Sequence, residues 1–183
     1  MARFAAEHPA IRLSMAVGNT AQTYHAILSG AADLGFIEGQ VDEDNIVSNS
    51  VGCDHLGIYS AVDHPLVGHQ LDEGHLRRAV WVVREAGSGT RDHFILGLSA
   101  LNLTLSDLDV RLEFPSNGAA LEAVKASSLI TAISDLAAAS RLGAGLLRRL
   151  DCEFPPRVFR MIFHRDRYLS RAGRAFASKV SPA

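Results

Sequence analysis

The residues best suited to chemistry lie in one run, from Trp81, Val82, Val83, Arg84, Glu85 and Ala86 to Gly87, Ser88, Gly89, Thr90 and Arg91. There an apolar strand gives way to a glycine- and serine-rich turn and then to a helical pattern. Such a junction can cradle an anion. Gly87 and Gly89 permit close backbone approach, and the first N–H groups of a helix lack intrahelical acceptors. The helix dipole adds partial positive charge at the same end. Ser88 and Thr90 supply hydroxyl donors, and Arg91 or Arg84 supplies a full charge. A capped strand-to-helix turn holding only water fits the same spacing equally well. The run is not a Walker loop, because no Gly-Lys-Ser/Thr follows at the required distance. Nor is it a dinucleotide fingerprint, since the third glycine position counted from Gly87 is Asp92. Nucleotide hydrolysis and hydride transfer therefore have little support.

Three further strand ends carry polar groups. Ser116 and Asn117 precede a helical stretch, where Asn117 either caps the helix or meets a ligand, capping being the more common fate. Glu38-Gly39 and Ile133-Ser134 also close apolar strands, the position at which open α/β sheets bind ligands. The eight histidines give no metal site: His64, His69 and His75 share a loop, without HExxH or Cys/His pairs at ligand spacing. No GxSxG elbow marks a nucleophile. Trp81, Phe94 and Leu98 read as core.

The elements that must hold these groups alternate between strand and helix. Ile11, Leu13, Met15 and Val17 alternate with polar or small residues and predict a strand. Residues 20–29 predict a helix with Tyr24, Ile27, Leu28 and Ala31 on one face, stopped at Gly30. Strands follow at 34–37, 46–51 and 56–62, the last two separated by a Gly-Cys-Asp-His turn. Residues 64–74 read as a connection. The rhythm then restarts with a buried strand at 79–83 and a helix at 91–101. A strand at 110–114 leads to a helix at 119–126, a strand at 129–133 and a helix at 135–142. Short strands at 146–150 and 157–163 precede a final helix capped by Ser170. This order implies βαβ units, mostly parallel sheet and two lobes.

Bulk properties narrow the classes. A chain of 183 residues, 48% hydrophobic and 21% charged, is ample for a globular core. A net charge of −2 argues against free nucleic-acid binding, which relies on phosphate contacts. The charges are segregated. No Lys or Arg occurs between Arg12 and Arg77, where Asp33, Glu38, Asp42, Glu43, Asp44, Asp54, Asp63, Asp72 and Glu73 cluster. Arginines dominate from Arg141 onward. Two solvated faces of opposite sign, or a complementary head-to-tail dimer, would account for this. Cys53 and Cys152, without a CxxC pattern, suit a reducing compartment. No apolar run approaches the ~18 residues of a membrane span, and the N-terminus lacks a signal-peptide core; a cytoplasmic protein is expected.

Taken together, several segments resemble LysR-type transcriptional regulators, specifically their C-terminal effector-binding domain. They are Ala2-Arg-Phe-Ala-Ala-Glu-His-Pro9, the stretch at 11–17 with Gly18-Asn19-Thr20, and Gly30-Ala-Ala-Asp33-Leu-Gly35-Phe-Ile-Glu38-Gly39. His64-Pro65-Leu66, Arg84 to Arg91 and residues 160–175 complete the likeness, which spans nearly the whole chain. The resemblance implies an α/β fold of the type 2 periplasmic-binding-protein kind: two Rossmann-like lobes joined by two crossover strands. Lobe one would hold residues 1–62 plus 156–183, and lobe two residues 63–155.

By position, Glu38, Ser88, Gly89, Thr90, Arg91, Ser116, Asn117 and Ser134 would line the ligand cleft, although Glu38 would repel a nearby anion. The ligand would be a small anionic or carboxylated effector. The domain would form a homodimer through the Arg3-Phe4 helix and a lobe-two helix, with no cofactor, metal, membrane or catalytic role. DNA would be contacted only through a helix-turn-helix domain absent from this chain. Against the family pattern, the first strand of lobe one is missing. A partner chain, a rearranged segment or an altered topology is expected to cover the gap. A solute-binding protein of the same fold is the alternative reading, and an enzyme on this scaffold a less favoured one.

Overall fold

A computed structural model describes residues 1–39 and 43–180; Asp42 of the acidic stretch and residues 181–183 of the first-lobe assignment lie outside them. In chain order the elements begin with α1 (Ala2–Glu7), α2 (Thr20–Ser29), β1 (Gly35–Glu38), β2 (Ile46–Asp54), β3 (Leu56–Ser60), α3 (Glu73–Arg78) and β4 (Val80–Arg84). They continue with α4 (Gly89–Ala100), β5 (Asp109–Phe114), α5 (Asn117–Lys125), β6 (Leu129–Ser134), α6 (Asp135–Gly143), β7 (Arg148–Leu150), β8 (Arg157–His164) and α7 (Arg171–Val180). The chain divides into two compact units, Met1–Gly52 with Val158–Ala183, and Cys53–Arg157.

The first unit is built on a three-stranded sheet of order β1-β8-β2, with β1 and β8 antiparallel. Alternation along β1 sends Ile37 to one face and Phe36 to the other. On the first face Ile37 joins Ile27 of α2, Ile46 and Ile162 in a buried cluster. On the second, Phe176 of α7 meets Phe4 edge-on at 5.2 Å and Phe36 at 6.3 Å. The start of α2 is fixed by a capping box: the Asn19 side chain accepts from the Gln22 N–H, and Gln22 accepts from that of Asn19. Its end is fixed by Gly30, whose φ of 78° lies where only glycine is unstrained.

The second unit carries a mixed sheet of order β5-β4-β6-β3-β7. β5, β4 and β6 run parallel; β3 is antiparallel to β6 and β7. The apolar run of β4 is covered on both faces. Trp81 and Val83 enter a cluster with Leu76, Phe94, Leu98 and Phe154, while Val82 enters another with Tyr59, Leu121, Val124 and Ile133. Trp81, Phe94 and Leu98 are thus core, with the Trp81 and Phe94 rings 4.9 Å apart. A β-carbon at Gly97 in α4 would lie 2.1 Å from a ring carbon of Phe154, and Phe154 is itself held edge-on against Phe94. Gly97→Ala is therefore expected to destabilise the protein by about 1–3 kcal/mol despite alanine's better helix propensity. A urea melt will show it as a lower midpoint.

Four features differ from the sequence reading. Residues 11–17 form no strand: no backbone ladder is present, and Leu13, Met15 and Val17 are 37%, 70% and 90% exposed. Among the described residues, no strand pairs with the outer edge of β1. The expected turn at Gly52-Cys53-Asp54 is instead the end of β2, so only His55 separates β2 from β3. Leu56–Ser60, assigned by sequence to the first lobe, is hydrogen-bonded inside the second sheet because both its faces are apolar and buried. Finally, α3 begins at the end of the segment read as a connection and runs through residues 75–78, to which the sequence reading gave no element. Asp72 accepts from the His75 N–H at 2.8 Å, and the His75 ring accepts from that of Asp72, a cap strong enough to nucleate one turn despite Gly74.

Candidate functional site

The parallel part of the second sheet ends in three helix starts. β4 turns through Gly87, with φ of 81°, into α4; β5 leads through Ser116 into α5; β6 passes at Ser134 into α6. Because β5, β4 and β6 are adjacent and parallel, all three helix N-termini lie at one end of the sheet. Each presents backbone N–H groups without intrahelical acceptors. This arrangement brings Ser88, Gly89, Thr90, Arg91, Ser116, Asn117 and Ser134 to one edge. Glu38 belongs to the first unit, where its carbonyl accepts from the Thr20 hydroxyl at 3.2 Å.

The expected donors at that edge are largely engaged by the protein itself. Ser116, not Asn117, caps α5 by accepting from the Ala119 N–H at 3.1 Å. Asn117 is the first helical residue and its side-chain oxygen accepts from Arg84. Arg84 also holds Glu85 in a bidentate pair of 2.8 and 2.9 Å. Arg91 donates to Glu113 at 2.5 Å and to the Arg84 carbonyl at 3.2 Å. Glu85 and Glu113 therefore balance the two arginines that sequence assigns to an anion. Ser88 is the N-cap of α4 yet makes no side-chain cap, and it is 2% exposed.

At the centre lies a buried network that sequence reasoning missed. Arg157, at the head of β8, forms a bidentate pair with Asp54, at the end of β2: Nε to Oδ1 at 2.5 Å and Nη2 to Oδ2 at 2.9 Å. Its remaining Nη1 donates to the Thr90 hydroxyl at 3.0 Å. The Ser134 hydroxyl donates to Asp54 Oδ2, and Ser134 also caps α6 through the Ala137 N–H at 3.4 Å. The Arg157 and Asp54 side chains are 1% and 2% exposed. Thr90 and Ser134 are thus joined through a charge pair instead of standing open. What signal there was lay in an arginine that opens β8 just after Pro155-Pro156 and in an acid that closes β2; both are costly to bury unpaired.

Beside this network the Tyr59 hydroxyl donates to Asp135, which also takes Arg149 at 3.3 Å. Burial, reinforced by the neighbouring carboxylate, pushes the Tyr59 phenol well above its ordinary range. Tyr59 is therefore a neutral donor that fixes the first residue of α6. Two of the loop histidines serve the fold: His64 accepts from the Leu66 N–H and lies 3.2 Å from the Ser128 carbonyl, and His75 caps α3. A depression of about 480 Å³ opens at the opposite end of β6, lined by residues 61–65 and 125–128. No helix among the described residues is long and apolar enough to cross a membrane.

Comparison with known proteins agrees with the fold. The LysR substrate binding domain family matches residues 1–181. The HTH-type transcriptional regulator YeiE of Escherichia coli is 30% identical over 188 residues, covering 100% of this chain and 62% of its own length. CysL, an HTH-type transcriptional regulator of Bacillus subtilis, is 32% identical over 97 residues, or 52% of this chain and 32% of its own. The chain thus spans under two thirds of the curated relatives it matches. Among solved structures, the regulatory domain of CcmR from Synechocystis, in complex with 2-PG, superposes with a TM-score of 0.86 at 25% identity, covering 98% of this chain and 86% of that one. The effector-binding domain of QuiR, in complex with shikimate, gives 0.84 at 18% identity, covering 97% and 84%.

Proposed function

Since the chain belongs to the LysR substrate-binding-domain family, we propose that it is the sensing part of a longer transcriptional regulator and that it takes a small anionic metabolite. The observation that carries the reading is the meeting of three helix starts at one end of β5, β4 and β6. Strand ends of this kind are where open α/β sheets place ligands, and helix N-termini favour negative charge. Glu38, Ser88, Gly89, Thr90, Arg91, Ser116, Asn117 and Ser134 are the proposed contacts. The relatives CcmR, whose regulatory domain holds 2-PG, and QuiR, whose domain holds shikimate, support a small-molecule effector.

The domain works by population shift: an effector with unequal affinity for two conformations favours one of them. In the whole protein, a cytoplasmic homodimer, that choice is passed to a helix-turn-helix domain on DNA. The sensing part performs no chemical reaction. The Arg3-Phe4 segment is the proposed dimer contact, although Phe4 is buried against Phe176 within its own unit and Arg3, paired with Glu7, carries the exposed surface.

A thermal-shift series with sulfate, inorganic phosphate and small carboxylates tests the reading. At least one anion is expected to raise the midpoint with concentration, reaching about 2.7 kcal/mol of stabilisation at a hundred times its dissociation constant. Thr90→Ala and Arg91→Ala are expected to blunt that rise. If no anion in the series moves the midpoint at any concentration, the sensor reading is lost.

A further inference from the structure

We propose that Asp54 acts as a built-in surrogate for the effector's anionic group, and that Arg157 is the cation the effector must win from it. The inference rests on the sensor reading above and adds the residue that holds the charge and the residue that regulates access to it. Four observations carry it. First, Arg157 presents its guanidinium at the helix-start end of the second sheet, beside Thr90 in the first turn of α4. Second, the group it holds is a carboxylate in bidentate geometry, the arrangement an effector carboxylate or phosphate would adopt on the same fork. Third, the hydroxyl of Ser134, one of the expected ligand hydroxyls, donates to that same carboxylate. Fourth, the remaining arginines at this edge, Arg84 and Arg91, are already paired with Glu85 and Glu113, and their partners are more exposed than Asp54.

The consequence is competition between an internal and an external anion. Burying a guanidinium without a counter-charge is costly, so the free protein needs Asp54 in place. An arriving anion with equal or greater hydrogen-bonding capacity takes over Arg157 and Ser134 and releases the Asp54 carboxylate. Asp54 and Arg157 stand at the two chain ends of the second unit, Cys53–Arg157. Exchange of their bond therefore acts at both connections to the first unit, which gives ligand binding a direct handle on them. Asp54 is a specificity residue in this scheme: ligands that cannot replace a carboxylate on the fork leave the pair closed.

The test is calorimetric titration of the whole chain with inorganic phosphate, comparing wild type, Asp54→Asn, and the double variant Asp54→Asn/Arg157→Gln. Asp54→Asn removes the internal competitor with little change in shape, so phosphate affinity is expected to rise by about tenfold or more, or 1.4 kcal/mol. The double variant carries no buried charge and keeps similar side-chain volumes. It is expected to stay folded and to lose phosphate binding, which keeps the proposal open to refutation should the single variant fail to fold. If Asp54→Asn binds phosphate no more tightly than wild type, or the double variant binds as wild type does, the surrogate role is overturned while the sensor reading stands. If no variant, wild type included, responds to phosphate or to the other anions of the thermal-shift series, both fall together. A purely structural pair would change the melting temperature of these variants without raising phosphate affinity in the single one.

Discussion

Replacing Trp81 with alanine is expected to cost about 3–5 kcal/mol of folding stability. The indole is fully buried, packs 4.9 Å from the Phe94 ring and donates its N–H to the Leu76 carbonyl at 2.9 Å. Truncation therefore removes a large apolar surface, opens a cavity between β4 and α4, and leaves a carbonyl of α3 without its donor. Against a typical margin of about 5–15 kcal/mol, such a loss takes a third or more of the total in most cases. Trp81 is the only tryptophan, so tryptophan fluorescence cannot follow the variant; urea unfolding read by circular dichroism will. A loss below about 1 kcal/mol would mean that the surrounding leucines collapse into the space, contrary to the tight packing of that face.

Arg157→Ala is the second large effect, also about 3–5 kcal/mol, because it strands the Asp54 carboxylate in a site where that side chain is 2% exposed. The Thr90 hydroxyl loses a donor in the same change. Removing both charges together, as in Asp54→Asn/Arg157→Gln, is expected to recover more than half of the loss, since no unpaired charge is then buried. The double-mutant cycle for the pair, measured by urea unfolding, should return a coupling well above that of an exposed, solvent-screened pair such as Arg111 with Asp109. Equal coupling at the two sites would show that the interior pair is effectively hydrated.

The period of the apolar residues made most elements legible. α2, β4, α4, α5, β6 and α6 lie where alternation and helical spacing place them, and the buried run at Trp81–Val83 announced an interior strand. Residues 11–17 show the limit of that signal. Alternating Leu13, Met15 and Val17 is a strand pattern, but a strand exists only with a neighbour to accept its hydrogen bonds, and pattern alone does not supply one. α3 was missed because its stability comes from a reciprocal cap, a local device that composition rich in His, Gly and Asp conceals. At the candidate site, strand ends and glycine-serine chemistry picked out residues that the fold brings to one end of β5, β4 and β6. Partner choice was not legible. Asp54 and Arg157 are separated by 103 positions, and nothing in the sequence around either one names the other. The engagement of Arg91 by Glu113 and of Arg84 by Asn117 and Glu85 was hidden for the same reason.

The discontinuity of the first unit bears on the order in which the molecule takes shape. Its sheet needs β8, whose residues follow the whole of Cys53–Arg157, so a growing polypeptide finishes the inserted unit before the enclosing one has all its parts. Uniting β1 and β8 means closing a loop of more than a hundred residues, but the entropic toll rises only logarithmically with length and shrinks further once the insert is compact. The Asp54–Arg157 contact then works as a drawstring: it brings the mouth of the insert together and delivers the returning chain to its waiting partners.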